Sequence, residues 1–344
     1  MGKVAFLYHG EFIYWRSVIW AIAVLCALLM AVAIRLWQKK PLTPLLITLP
    51  IAVVLSVYFA RAIHWYCRFE SYNGFAAALK NLGGGGYSLI GAFAGTILAA
   101  LLVRALQLTK ELPPLLDALA PAGAFGIAVG RWAELFTAAD RGKMILEKQG
   151  LPFTTAVTNS AGVTEWRFAT FAFQSIWVGL VFVLLLVVTL VPSRWKDIRP
   201  RWRSGNVFCL FILLYCLGQI LLDSTRYDAL FLRSNGFVSL VQIVCAVSVA
   251  AVTALYSVRS IRINRFRWYH PFLWFVALLG LGLAGFMEWY VQRHGDRFVL
   301  AYDLMAVGLL VFLIAPLRLR DSTRREDPDA AEPPAEEETA ASAE

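Results

Sequence analysis

Apolar runs about as long as a bilayer core is thick recur along the whole 344-residue chain, and no other feature restricts its fold as strongly. They occupy residues 18–36, 46–66, 87–103, 115–138, 168–191, 207–222, 237–258, 271–291 and 298–317. A helix of roughly 20 residues crosses the hydrocarbon, where the backbone can satisfy its polar groups only by bonding to itself. The sequence therefore predicts an all-α fold, a polytopic integral membrane bundle of about nine helices. The first run lacks the short core and small-residue cleavage site of a signal peptide, so it reads as a permanent helix. With 59% hydrophobic and 16% charged residues, the chain is not an ordinary soluble domain. Its five cysteines are scattered and offer no disulfide framework or metal-ligand spacing, and no cofactor or metal is expected.

The formal charge of +9 hides a division. Residues 321–344 hold nine acidic and two basic side chains, which leaves 30 basic against 14 acidic in the remainder. That basic body fits cytoplasmic loops and anionic headgroups, and nucleic acid is not expected as a partner. Lys and Arg collect in alternate connections: Arg35, Lys39 and Lys40; Arg104 and Lys110; Arg194, Lys196, Arg199, Arg201 and Arg203; Arg259, Arg262, Arg265 and Arg267; and Arg318 with Arg320. The positive-inside rule makes that side cytoplasmic, with the N-terminus outside, the C-terminus inside and the acidic end a disordered cytoplasmic tail.

Residues 117–142, DALAPAGAFGIAVGRWAELFTAADRG, are apolar enough to enter a membrane yet carry Arg131 and Glu134. Buried charge in hydrocarbon usually faces a polar cavity and marks a ligand or ion site. Gly126 and Gly130 would let a helix or a lipid headgroup approach the backbone closely. Arg16, Arg61, Arg131 and Arg226 fall near the outward ends of their spans, where the positive-inside rule disfavours them. A guanidinium fork suits phosphate oxygens, so together they would suit a phospholipid headgroup. The other reading is that they snorkel, or tie to Glu134, Glu165 and Asp223 as structural pairs.

At residues 130–142 the sequence reads Gly130-Arg131-Trp132-Ala133-Glu134-Leu135-Phe136-Thr137-Ala138-Ala139-Asp140-Arg141-Gly142. It resembles the signature of the prolipoprotein diacylglyceryl transferase family, Gly-Arg-x-Gly/Ala-Asn-Phe-x-Asn-x-Glu-x-x-Gly. The glycines, Arg131 and Ala133 match, whereas Glu134, Thr137 and Ala139 replace two asparagines and a glutamate. Asp117 to Pro121 is similar to the family's entry to this helix, and Arg61 to its arginine near the end of the second span. Residues 85–91 resemble a glycine-rich entry ending in His-Gly-Gly, with Ile90 at the histidine position and Gly91 matching. Arg167 and Thr170 resemble an Arg-x-Pro-Ser/Thr-Gln segment. Tyr215 and Arg226 match a further block in which Asp223 replaces Glu and Gln219 replaces Arg, and Ser239 to Gln242 resembles a Ser-Met-Gly-Gln opening.

The resemblance covers residues 1–258 and implies a transferase-like membrane domain. Residues 259–320 would be two additional helices, and 321–344 the tail. It further implies a bacterial inner-membrane enzyme that moves the diacylglyceryl group of phosphatidylglycerol, an anionic phospholipid, to the lipobox cysteine thiol of a preprolipoprotein, or performs a related glycerophospholipid transfer. Arg131 and Glu134 are the expected catalytic pair, Glu134 either as a base or as the arginine's counter-ion one turn along the helix. Arg61, Gly91, Gly130, Arg167, Asp223 and Arg226 are the expected substrate-binding residues. The substitutions at Ile90, Gln219 and Ala139 leave a noncatalytic lipid-binding or partner-binding paralogue as the alternative.

Overall fold

The computed structural model describes residues 4–80, 86–109, 112–137, 139–145, 153–158, 162–194, 204–232, 236–294 and 297–323. Lys110, Ala138, Gly83 to Gly85, the basic residues Lys196, Arg199, Arg201 and Arg203, and residues 324–344 of the acidic segment lie outside the described residues. A hairpin of β1 (Val4–Tyr8) and β2 (Glu11–Tyr14) leads into α1 (Trp15–Trp37), α2 (Thr43–Cys67), a 3-10 turn at Phe69–Ser71 and the short α3 (Phe75–Lys80). Then come α4 (Leu89–Ala105), α5 (Leu112–Gly130), a 3-10 helix at Arg131–Phe136, and strands β3 (Met144–Ile145), β4 (Thr154–Thr158) and β5 (Thr164–Phe168). The chain closes with α6 (Thr170–Arg194), α7 (Asn206–Ser224), α8 (Leu240–Asn264), α9 (Tyr269–Arg293) and α10 (Phe298–Ser322).

Among the described residues, eight helices are long and apolar enough to cross a membrane. The ninth expected span is α4, which has only 17 residues and covers about 26 Å at 1.5 Å per residue. This is a polytopic helical membrane bundle, as the apolar runs require. α8 begins at a capping box: the Gln242 amide donates to Ser239 Oγ at 3.2 Å, and the Ser239 amide donates to the Gln242 side chain at 2.9 Å. It then runs unbroken past residue 258, so the expected domain boundary falls inside a helix.

The elements not foreseen all gather at one end of the bundle. They are the β1–β2 hairpin, the 3-10 turn and short α3 that follow α2, the 3-10 helix after α5, and the antiparallel sheet ordered β3-β5-β4. At the opposite end, polar side chains close the basic connections. Asp117 accepts hydrogen bonds from the Gly205 and Phe208 amides at 2.6 and 2.9 Å, satisfying amides at the start of α7 that have no helical partner. Arg35 donates to the Pro41 carbonyl at 2.6 Å, and Arg259 to Asn206 at 3.2 Å.

Small residues set the helix spacing. A Cβ on Gly91 would lie 2.3 Å from the Phe59 carbonyl oxygen, and one on Gly95 would lie 2.5 Å from Leu55 backbone atoms, so α4 lies directly on the α2 backbone. Gly126 and Gly130 admit α1: their Cβ atoms would meet Ala27 at 2.8 Å and the Trp20 ring at 2.5 Å. Gly123, on the same helix, has nothing within 4 Å of its Cβ position. Gly95→Val should therefore force α2 and α4 apart and destabilise the bundle by about 1–3 kcal/mol. Gly123→Ala should be neutral or stabilising by up to about 1 kcal/mol. Thermal unfolding of the detergent-solubilised variants checks both signs.

Candidate functional site

At the end of α5 the chain tightens into the 3-10 helix, in which Arg131, Ala133 and Glu134 are buried. It then turns through Asp140, whose backbone is left-handed (φ 54°), a conformation that Asp tolerates better than most residues. Backbone bonds stitch the residues after Asp140 between two other elements. The Gly142 amide donates to the Phe168 carbonyl at 2.8 Å, Lys143 to Thr225 at 3.1 Å, and Tyr227 to Arg141 at 3.1 Å. A Cβ on Gly142 would sit 2.8 Å from that of Phe168, so only glycine lets the strands close this tightly. The stitching carries Asp140 from the end of α5 to the exit of α7, where Arg226 stands.

The result is one buried ion network. Asp140 is 5% exposed and joins two arginines: Oδ2 accepts from Arg131, and Oδ1 lies 2.6 Å from Arg226 Nη2. Arg226 also contacts Asp223 at 3.2 Å and Asp228 at 3.0 Å. The second oxygen of Asp223 accepts from Ser239, and that of Asp228 accepts from the Asp140 amide at 3.1 Å. Burial alone would raise the Asp140 pKa, but Arg226 and Arg131 outweigh it and hold the carboxyl below the usual carboxylate range. Burial likewise opposes the charge of Arg226, and Asp140, Asp223 and Asp228 reverse that, raising its pKa above the usual arginine value.

Arg131, Asp223 and Arg226 thus come together. The expected pairing of Arg131 with Glu134 does not form. Glu134 Oε1 lies 3.3 Å from Arg16, and Oε2 accepts from Thr137 Oγ1 at 2.6 Å. The 3-10 winding ends the regular helix at Arg131, and the tight turn beyond it presents Asp140 instead. Arg167 sits at the rim, 2.6 Å from Glu165, donating to the Gly142 carbonyl at 3.3 Å and stacked over Tyr227. Gly130 packs on Trp20, and Gly91 lies in the α2–α4 seam; neither contributes to the ion network. Arg61 is 1% exposed and belongs to a separate cluster, donating to the carbonyls of Ala78 at 2.7 Å and Gly86 at 2.9 Å.

Asp140, Arg141 and Asp228 were not among the sequence-selected residues. Arg141 is 3% exposed, donates through Nη2 to the carbonyls of Glu134, Leu135 and Thr137, and lies over the Phe171 ring. Its Nε and Nη1, and Arg131 Nε, have no hydrogen-bond partner among the described residues. The available signal was the run Asp140-Arg141, polar residues placed between the two ends of the signature. Trp132, which follows Arg131 in the chain, lines an apolar groove of about 420 Å³ together with Ile19, Ile22, Ala128, Val129, Ser175 and Gly179. Among the described residues, no group of His, Cys, Asp or Glu is arranged to hold a metal ion.

Chemically, a carboxylate spanning two guanidinium groups occupies them as two oxygens of a phosphodiester would. The family model described as prolipoprotein diacylglyceryl transferase matches residues 3–258. A phosphatidylglycerol–prolipoprotein diacylglyceryl transferase of Parasynechococcus marenigrum is 33% identical over 236 residues, covering 67% of this chain and 81% of the relative. Proteins of the same name from Clostridium kluyveri (24% over 252 residues, 72% and 95%) and Listeria welshimeri (27% over 244 residues, 68% and 83%) are also similar.

Asp140→Asn should leave two buried arginines short of a counter-charge and destabilise the protein by about 3–5 kcal/mol. Because the folded pKa of Asp140 is depressed, its contribution is fully present above the unfolded value of about 3.9 and is lost as pH falls through the folded one. The stability gap between wild type and variant should therefore be flat from about pH 5 to 8 and close in stronger acid. Denaturant unfolding at several pH values measures that gap.

Proposed function

Because this chain belongs to the prolipoprotein diacylglyceryl transferase family, we propose that it transfers the diacylglyceryl group of phosphatidylglycerol to the lipobox cysteine of a prolipoprotein. The observation that carries this reading is the pair Arg131 and Arg226, both buried and both held on one carboxylate beside an apolar groove. The phosphate of the lipid displaces Asp140 from the arginines, and an acyl chain lies along the groove. As the glyceryl C–O bond breaks, negative charge grows on the departing phosphate oxygen, and preorganised guanidinium groups stabilise that charge more than the ground state. Arg141, with open donors on the same segment, adds a third cation, and Arg167 borders the rim. Glu134 holds Arg16 in place. The noncatalytic alternative is not favoured, since the relatives are named as transferases.

The chain is a multi-pass protein of the bacterial inner membrane. We place the network at its outer face, where a secreted substrate arrives, because the basic connections gather at the other end. The C-terminus is then cytoplasmic. The helices after α8 are an addition to the transferase-like unit, packed on it through Ser260, whose hydroxyl is 2.7 Å from that of Ser322.

With labelled phosphatidylglycerol and a lipobox peptide, the purified protein should form the diacylglyceryl thioether, read by mass spectrometry. Arg131→Ala should lower kcat/KM by about 10²–10³-fold. A wild-type yield no greater than that of Arg131→Ala would overturn the transfer reading, and unchanged lipid selectivity in the variant would overturn the phosphate role. A phosphatase reporter joined after Thr323 should be inactive, as expected of a cytoplasmic end; activity there would invert the assignment of faces.

A further inference from the structure

Transfer to a thiol needs a proton acceptor, because the thiolate is the nucleophile and an unperturbed thiol is mostly protonated at neutral pH. The carboxylates of the ion network are poorly placed for that task, since all are engaged. Asp140 holds two arginines, Asp223 holds Arg226 and Ser239, Asp228 holds Arg226 and the Asp140 amide, and Glu134 holds Arg16 and Thr137. A different group stands at the same end of the bundle. On the transfer reading, we infer that His64, held by Tyr72, is the general base that takes the proton of the acceptor thiol.

The geometry that points to it is a small built site. His64 Nδ1 is 2.8 Å from the Tyr72 hydroxyl, and Arg61 Nη1 donates to the same hydroxyl at 3.2 Å and to the Gly86 carbonyl at 2.9 Å. Arg61 is fully buried, so it serves as the fixed post of this arrangement while the His64 ring remains half-buried. Gly86 is left-handed (φ 79°), and a Cβ there would lie 2.5 Å from the Tyr72 hydroxyl and 2.8 Å from His64 Cε1, so the backbone is kept bare where the two side chains meet. The Nε2 edge has no hydrogen-bond partner among the described residues.

Two contacts tie this cluster to the arginine network. His64 lies one turn before Arg68, whose amide donates to the His64 carbonyl at 3.0 Å. The Arg68 guanidinium reaches the Asp228 carbonyl at 3.4 Å, and Asp228 is a carboxylate partner of Arg226. From α1, Arg16 lies within electrostatic range of the imidazole while also pairing with Glu134. The charged and titratable groups around the ring are therefore Arg61 and Arg68 on or next to α2, Tyr72 after it, and Arg16 on α1; burial and the three cations keep the resting ring neutral, the form whose free nitrogen can accept a proton.

In this arrangement Nδ1–H donates to the Tyr72 oxygen, which leaves the Nε2 lone pair to the thiol. The thiol proton moves to Nε2 and sulfur bonds to the glyceryl carbon. The C–O bond to phosphorus-bound oxygen breaks, with its electron pair leaving on that oxygen at Arg131 and Arg226. The imidazolium then returns its proton to the released glycerol phosphate, so protons and charge balance without another reactant.

The test is the thioether assay on full-length protein in phosphatidylglycerol vesicles, with wild type, His64→Gln and Tyr72→Phe. For His64→Gln, kcat should fall about 10²–10⁴-fold with KM for the lipid unchanged. Its remaining rate should climb about tenfold per pH unit towards the thiol's own ionisation near pH 8.5, where wild type stays nearly flat. Tyr72→Phe, which keeps the ring and removes only the hydroxyl, should show a smaller loss with the same pH signature. A His64→Gln enzyme with wild-type kcat, or one slowed by the same factor at every pH, would overturn the assignment and leave the transfer reading standing. Absence of thioether from wild type would remove the transfer reading and the base together.

Discussion

The carboxylate of Asp140, buried between Arg131 and Arg226, is the interaction on which the rest of the site depends. Two guanidinium groups brought together out of water repel each other and lose hydration, so they can share a site only if an anion stands between them. That anion must come from a third segment, because Arg131 directly follows α5 and Arg226 follows α7. The left-handed turn at Asp140, the Gly142 contact with Phe168 and the hydrogen bonds to Thr225 and Tyr227 bring that segment into position. The small sheet that continues from it fixes the same turn from outside, since Met144 pairs with Arg167.

The bundle beneath serves this geometry by being close-packed where it must be. α5 runs directly into Arg131, and its depth relative to α1 is set by Gly126 and Gly130 against Ala23, Ala27 and Trp20. Lipid tails are as apolar as the helix surfaces, so contact between backbones, more than burial of apolar area, holds such helices in register. A side chain at either glycine would move α1, and with α1 would go Arg16 and the Glu134 to which it is paired. The packing of α5 and the electrostatics at its end are therefore one problem for the sequence to solve.

The helices were legible in the sequence because a bilayer imposes a length and an apolar composition that few other folds demand. Gly126 and Gly130 were legible as points of close approach, though not that α1 would fill them. Three things were hidden. The strands between residues 144 and 168 are two to five residues long, too short to show a period of their own. Arg131 and Glu134 have the spacing of neighbours on a helix, but the backbone tightens into a 3-10 helix at Arg131 and a more distant carboxylate is delivered by tertiary contacts. Asp140 follows the position where the signature places its acidic residue, occupied here by Ala139, and a one-residue offset becomes meaningful only once a backbone with φ 54° is seen to turn it inward.

On the proposed transfer reading, the network divides the work of lipid recognition between polar and apolar parts. A phosphodiester and the Asp140 carboxylate each carry one negative charge, so Arg131 and Arg226 keep one shared counter-charge when one takes the other's place. That exchange yields little net electrostatic free energy, because each new ion contact replaces one of similar strength. A lipid arriving from the bilayer has already withdrawn its acyl chains from water, so the groove holds them by close packing and adds little further hydrophobic free energy. What the arginines contribute on that reading is selection. A headgroup without an anion cannot replace Asp140, and one that can is seated with its phosphate on the two cations that stabilise its departure.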